Sequence, residues 1–384
     1  MVKGADRMLK IKKWVVDKSE SWIKLILMGV VLISLVGCSS QAGTDASAPT
    51  RGAVTKQGSQ QQLVIYTGRD KNVVDYVIPK FEATHPDVKV DVLTIGAQEI
   101  LERIRGEKSN PQADFWWGGT QSSLRTAALE GLLESYKPSF GDQIPAIYKD
   151  AQDRWYGEML LPEVIMYNPQ MLPKAEAPKD WDDLLDPKYK DKIIIRGVLK
   201  SGTMRTIYSA MMYRQGAAAP EKGYEWLAKL DANTKEYAQD PTSLYIKLAR
   251  QEAAISLWNL QDILIQKEAK KQPFDYIYPA SGAPILVDGV AIVKGTKNIA
   301  PAKKFYDFLF DEKLRIELAE KFYQIPALST SSKENLPNWL QAIEIKPLEM
   351  NWQVLADKEK EWMQYWDENI KGKGYKSLLE VIQK

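Results

Sequence analysis

The chain of 384 residues has one cysteine and one histidine. A single thiol closes no intramolecular disulfide, so stability outside the cell does not rest on such bridges. The lone histidine, His85 in Thr-His-Pro, leaves a Ser-His-Asp or Cys-His centre almost without material. Paired cysteines, a histidine cluster and a Gly-rich Walker loop are all missing, which removes the usual zinc and nucleotide-phosphate sites. The 50 acids would still permit a carboxylate-only glycosidase. No pair of them stands out. The uncharged run 25–37 has thirteen residues, short of the about 20 that span a bilayer as a helix.

That run follows Lys10, Lys12, Lys13, Lys18 and Lys24 and precedes the polar stretch SSQAGTDASAPTRGAVTKQGSQQ, the layout of a secretory signal peptide and a disordered linker. Leu35-Val36-Gly37-Cys38 resembles the lipobox of bacterial lipoproteins, in which the signal is cleaved before the cysteine and the cysteine receives lipid. The expectation is therefore a lipoprotein signal at 1–37, lipidation at Cys38 and a linker at 38–61. Without residues 1–37, which carry seven Lys/Arg and three Asp/Glu, the net charge of +2 becomes −2. Such a chain shows no basic face for nucleic acid.

From residue 62 on, strand-like and helix-like stretches alternate. Residues 62–66 and 88–93 read as strands, Val73, Val74, Val77, Ile78 and Phe81 take helical spacing between them, 100–104 mark a second helix, 113–117 a third strand and 124–133 a third helix. The expected fold is α/β, with a mainly parallel sheet flanked by helices. The second half repeats the pattern with strands at 159–167, 192–195, 253–258 and 285–293. A chain that leaves one lobe at 159–167 and returns at 285–293 makes a two-strand hinge on which lobes close over a ligand. The divisions expected are 62–160 for lobe I, 161–275 for lobe II, 276–315 for the return to lobe I, and 316–384 for C-terminal helices packing on the lobes.

Parallel sheets bind ligands where strands end and helices begin. Three such junctions carry glycine and hydroxyls: Thr67-Gly68-Arg69, Gly118-Gly119-Thr120 and Ser201-Gly202-Thr203. Glycine admits close approach of the backbone, and helix N-termini offer free N–H groups to an anion. Arg69 is a candidate bidentate clamp for phosphate or carboxylate. Asn259 and Asp262 are candidates for ligand hydroxyls or an amine, and Arg205 lies inside the helix after Ser201. Trp116, Trp117 and Trp258 offer either a flat wall to a carbon skeleton or core. The tryptophans of the tail, Trp339, Trp352, Trp362 and Trp366, read as core at helical spacing.

Several stretches together, "LVIYTGRDKNVVDYVIPKFEATHPDVKV", "ADFWWGGTQSSLRTAALEGLL", "DRWYGEMLLPEVIMYNPQML", "WDDLLDPKYKDKIIIRGVLKSGTMRTIYSAM" and "VDGVAIVKGTKN", resemble the extracellular solute-binding proteins of bacterial ABC importers. The nearest branch is the one with ferric-ion-binding and hexose-phosphate-binding members. The resemblance implies a two-lobed periplasmic-binding-protein fold of type II. It also implies a monomer lipid-anchored at the cell envelope, with no cofactor, that captures a solute and delivers it to a membrane permease. The ferric branch supplies a histidine after the first strand, a glutamate after the third and two adjacent tyrosines late in the second lobe. The matching positions here are Thr67-Gly68-Arg69-Asp70, Gly118-Gly119-Thr120 and Trp258-Asn259-Leu260-Gln261-Asp262, which suit an anion better than Fe³⁺. The expected solute is a small organic anion such as a sugar phosphate or phosphonate, with no bound metal. Ser201-Gly202-Thr203 and Gly119-Thr120 would hold the anionic group, Arg69 would neutralise it, and Asn259 and Asp262 would recognise the rest. The alternatives are a ferric protein using Asp70, Glu163, Tyr167 and Asp288, and an extracytoplasmic glycoside hydrolase.

Overall fold

The computed structural model describes residues 60–329 and 332–373. The expected signal peptide, the lipidation at Cys38 and nearly all of the linker lie outside them. Among the described residues no helix is long and apolar enough to cross a membrane.

Strand β1 (Gln61–Thr67) lies between β2 (Val88–Thr94) and β3 (Phe115–Thr120), parallel to both, with α1 (Lys71–Thr84) and α2 (Ala97–Gly106) as crossovers. Side chains alternate across a strand, so one sheet builds two cores. Leu63, Ile65, Phe115 and Trp117 join Val77 and Phe81 on one face, while Tyr66 and Trp116 join Ile100, Ile104 and Leu124 on the other. A sheet covered on both faces must be apolar on both, as the centre of β1 and β3 is, whereas β2 at the edge alternates and leaves Lys89 and Asp91 exposed. Strand β3 extends past the expected 113–117 and includes Gly118, Gly119 and Thr120. Helix α3 then spans Gln121–Leu129 rather than 124–133, because the Thr120 hydroxyl caps it and Gly131, at φ +69°, turns the chain away. A short β4 (Leu133–Glu134) closes this stretch.

All 12 residues of β5 (Tyr156–Tyr167) are buried. At roughly 3.3 Å per residue the strand is about 40 Å long, enough to pass from one lobe into the other. The second lobe is built from β6 (Ile193–Arg196), α4 (Gly202–Gly216), α5 (Glu221–Asn233), β7 (Thr234–Ala238), α6 (Pro241–Ala249), β8 (Ile255–Asn259), α7 (Leu260–Leu264) and β9 (Asp275–Ile277). Its β6 is parallel to both β7 and β8. Strand β10 (Ile285–Val293) returns antiparallel to β5 and to β3 and also pairs with β4. One sheet therefore runs in the order β2-β1-β3-β10-β5-β8-β6-β7 through both lobes. The antiparallel pairings belong to the crossing strands, and each lobe remains mainly parallel.

After β10 the chain adds α8 (Ile299–Leu309) and α9 (Glu312–Phe322) to the first lobe, then crosses again at β11 (Ile325–Pro326), which pairs with β5. The last helices, α10 (Asn338–Gln341) and α11 (Trp352–Asn369), pack on the second lobe. Trp362, Met363, Trp366 and Ile370 are buried in its core with Tyr208 and Trp226, and Trp339 packs at its edge. Trp366 meets Tyr208 edge-on at 5.2 Å and Tyr237 at 5.4 Å.

Candidate functional site in the interlobe cleft

The cleft floor is one face of the two crossing strands. Met159 and Leu161 of β5 and Leu286 of β10 form a small apolar cluster there. The period of two places Glu163 next in the row of Met159 and Leu161, and Asp288 next to Leu286. Above this floor lies a cavity of about 680 Å³, within the range of small-ligand sites. The first lobe supplies Gly68, Arg69 and Asp70, the second supplies Tyr245, Asn259 and Asp262, and Asp288 comes from the floor.

Arg69 is fixed from three sides. Its guanidinium donates to Glu158 at 2.6 Å, to Asp288 at 2.8 Å and to the Met159 sulfur at 2.9 Å. Burial opposes its charge, but the two carboxylates outweigh this and push its proton affinity up. Glu158 also accepts from the Trp117 indole at 2.8 Å. Gly118 makes room for this arrangement: its φ is +83°, and a Cβ there would stand 3.2 Å from Arg69 Nε. Thr67 is buried and accepts from the Arg69 amide at 3.1 Å, while Gly68 is exposed beside Gly118. Arg69 is thus a buried structural cation whose charge is already met, rather than a free clamp.

Asn259 caps α7, accepting from the Asp262 amide at 2.8 Å and donating to the Asp262 carboxylate at 2.9 Å. The same carboxylate oxygen accepts from the Trp258 indole at 2.9 Å. Glu163, opposite Asn259 in the β5–β8 ladder, is wholly buried, with Thr203 as its polar neighbour. Burial pushes its proton affinity well above the usual carboxyl range; nearby Thr203 opposes the shift, and Asp262 and Asp288 add to it. Burial raises Asp288 too, with Arg69 acting against it and Glu158 and Asp262 with it.

The remaining predicted residues lie elsewhere in the cleft. Thr120 caps α3, and Ser201 caps α4 by accepting from the Met204 amide at 3.2 Å. A Cβ on Gly202 would lie 3.6 Å from Thr120 Cγ2 and 3.7 Å from Leu286, so these junctions touch across closed lobes. The space left beside them is about 20 Å³, room for roughly one water. Helix α11 fills the rest with Trp352, Leu355 and Glu359, and Glu359 pairs with Arg205 at 3.1 Å. Gly119 is in β3 opposite Gly289, and a Cβ there would collide with Leu124 and Trp116 at under 3 Å, so packing requires this glycine. The structure therefore splits the expected set. Gly68, Arg69, Asn259 and Asp262 line the large cavity, whereas Thr120 and Gly202 abut a filled one. Trp116, Trp117 and Trp258 are all core and offer no wall to a ligand.

The four residues named for the ferric alternative are not all gathered at one point. Tyr167 is four residues beyond Glu163 on β5, about 13 Å away, beside Asp275. Among the described residues no group of three or more His, Cys, Asp or Glu is placed to hold a metal ion. His85 stacks on Phe81 at the far end of α1. Sequence reasoning missed Glu158, Tyr245, Lys270 and Lys321. The signal for Glu158 was an acid next to an otherwise apolar crossing strand.

Two α/β lobes joined by crossing strands, with a polar cavity over the hinge, define a protein that closes on a small ligand. The chain belongs to the family described as bacterial extracellular solute-binding protein, which matches residues 116–345. It is 28% identical over 309 residues to a probable ABC transporter periplasmic-binding protein, y4fP, of Sinorhizobium fredii, covering 79% of this chain and 84% of that one. Iron uptake protein A1 of Synechocystis is 26% identical and covers 79% of this chain and 85% of its own length. The structure of the periplasmic binding protein AfuA from Actinobacillus pleuropneumoniae, with exogenous fructose-6-phosphate bound, superposes with a TM-score of 0.68 at 26% identity. That match covers 82% of this chain and all of the other. The family role is to bind a small solute outside the cytoplasm and pass it to an ABC permease.

Proposed function

We propose that this protein is the lipid-anchored receptor of an ABC importer for a small organic solute with an anionic group, of the sugar phosphate or phosphonate kind. The observation that carries the reading is the 680 Å³ interlobe cavity, with Lys270 and Lys321 lining it beside the N-terminal residues of α6, Pro241 and Thr242. The two ammonium groups favour an anion, whereas the α6 start adds little, since Pro241 has no N–H and Asp240 already caps the Ser243 amide at 2.8 Å. AfuA, similar in fold and sequence, holds fructose-6-phosphate. The anionic end of the solute meets Lys270 and Lys321, rather than the Thr120 and Gly202 junctions beside the space that α11 fills. Cys38 carries the anchor.

A thermal-shift panel of sugar phosphates, phosphonates, carboxylates and Fe³⁺ with and without citrate tests this. A ligand at 100 times its dissociation constant stabilises by about 2.7 kcal/mol, a shift of several degrees at this size. A rise with a phosphate or phosphonate ester, weakened in Lys270→Ala/Lys321→Ala, is expected. A rise with iron alone would overturn the reading.

A further inference from the structure

Three glutamines line the large cavity: Gln261 in α7, Gln266 in the wide helical turn Ile265–Ala269 that follows it, and Gln324 between α9 and β11. They are only 8%, 6% and 4% exposed, although glutamine is mostly a surface residue. Gln261 donates to the Phe322 carbonyl at 2.7 Å, and among the described residues nothing donates to its own side-chain oxygen. The side-chain amides of Gln266 and Gln324 have no hydrogen-bond partner among the described residues. The wide turn is closed by the Lys270 amide on the Ile265 carbonyl at 3.1 Å and brings both Gln266 and Lys270 to the cavity. Turns of this kind are frequent at functional sites. Buried side-chain amides are nearly always paired, so two that stay unpaired in the wall of a ligand cavity point to a partner supplied by the ligand.

We propose that Gln266 and Gln324, with the side-chain carbonyl of Gln261, are the specificity-determining residues of this cavity and read the uncharged part of the solute. This rests on the anionic reading for the other end of the molecule. A primary amide carries two donors and an acceptor and no charge. It therefore matches groups that donate and accept at once, hydroxyls above all, and has nothing to offer a bare hydrocarbon. A site built to bond a hydroxyl rejects the analogue that lacks it, because its own buried polar groups are then left unpaired. Gln261 has a second part to play. Its bond to Phe322 joins α7 of the second lobe to α9 of the first, so it belongs to the closed arrangement. A solute hydroxyl on its carbonyl is thus held by a residue that also holds the lobes together, and recognition of the neutral part favours closure.

Calorimetry with three probes separates the parts: glucose 6-phosphate, cyclohexylmethyl phosphate, which keeps the ring and the charge without the hydroxyls, and glucose, which keeps the hydroxyls without the charge. Glucose 6-phosphate is expected to bind at least about tenfold more tightly than cyclohexylmethyl phosphate, a difference of about 1.4 kcal/mol. Gln266→Met and Gln324→Met keep the side-chain length and remove the amide. Each should lose most of that advantage while binding cyclohexylmethyl phosphate as the parent does. Neither amide has a protein partner to lose, so without solute both variants should melt no lower than the parent. Gln261→Met should weaken both phosphates, since the bond to Phe322 goes with it. Equal binding of the two phosphates by the parent, or Met variants that melt lower and keep the advantage, would overturn the inference and leave the anionic reading standing. Binding of glucose but not of cyclohexylmethyl phosphate would sustain the glutamine site and defeat the anionic reading. No binding by any of the three would overturn both.

Discussion

Arg69→Ala should destabilise the ligand-free protein by about 3–5 kcal/mol near neutral pH, the usual cost of orphaning a buried charge. The structure sets the magnitude. Arg69 and Glu158 have side chains only 5% and 3% exposed, paired at 2.6 Å, and Asp288 at 2.8 Å is 15% exposed. Removing the guanidinium leaves two neighbouring carboxylates, of which only Glu158 keeps a donor, the Trp117 indole. They escape repulsion only by taking up a proton. At about pH 7 that costs roughly 2.7 units times 1.36, or about 3.7 kcal/mol, for a carboxyl of ordinary affinity, which falls inside the range above. The sign follows. Orphaned carboxyls have raised affinity in the folded state, so the variant's deficit is largest above that raised value and shrinks by up to about 1.4 kcal/mol per unit as pH falls toward the unfolded value near 4. Urea unfolding of parent and variant at about pH 7.5 and 5 measures this. A deficit under about 1 kcal/mol at the higher pH, or one that grows on acidification, would refute the assignment of Arg69 as a structural cation.

Gly118→Ala combines a left-handed backbone, φ +83°, with a Cβ pressed on Arg69, so it should lower stability by about 1–3 kcal/mol in thermal unfolding. Gly131→Ala, at φ +69° in open space, should cost less. Glu163→Gln should stabilise the ligand-free protein near pH 7.5 and have little effect near pH 4. A carboxyl whose affinity is raised by burial weakens the fold as pH rises from the unfolded value toward the folded one; equal effects at both pH values would contradict the burial argument. Trp366→Ala removes a side chain that is 0% exposed and should cost about 3–5 kcal/mol in denaturant unfolding. A loss under about 1 kcal/mol would mean that α11 is not part of the second lobe's core.

The α/β character and the main strands are legible because apolar periodicity decides them: 285–293 matches β10 to the residue and 88–93 misses one, while β7 (Thr234–Ala238), only partly buried, gives no such signal. The end of the third strand was misplaced because two glycines look like a turn. In three dimensions β10 pairs alongside Gly119 and Thr120 and holds them extended, and Leu124 and Trp116 fill the space a Cβ would need. The site was half legible. Glycine and hydroxyl junctions mark the cleft edge, but which junctions stay open depends on α11, more than 140 residues beyond Gly202 in sequence. Arg69 looked free because its partners, Glu158 and Asp288, are 89 and 219 residues away. Glu163 is visible as one of two acids in the apolar run of β5, yet its raised proton affinity comes from burial that the sequence does not show.

The route of the chain through the hinge has a mechanical side. It passes between lobes at β5 and β10, and a third time beyond β11, where α10 and α11 join the second lobe. The first turn of α11 then reaches back to the first lobe, with Arg125 donating to Gln353. Two strands alone would let the lobes both bend and twist. With a third crossing and a clasp at Gln353, twisting would shear the clasp and the β11 pairing together, so bending is the softer motion. The molecule is built as a door on an axis rather than as a ball joint, and the cavity it closes over has Lys270 and Lys321 among its lining residues.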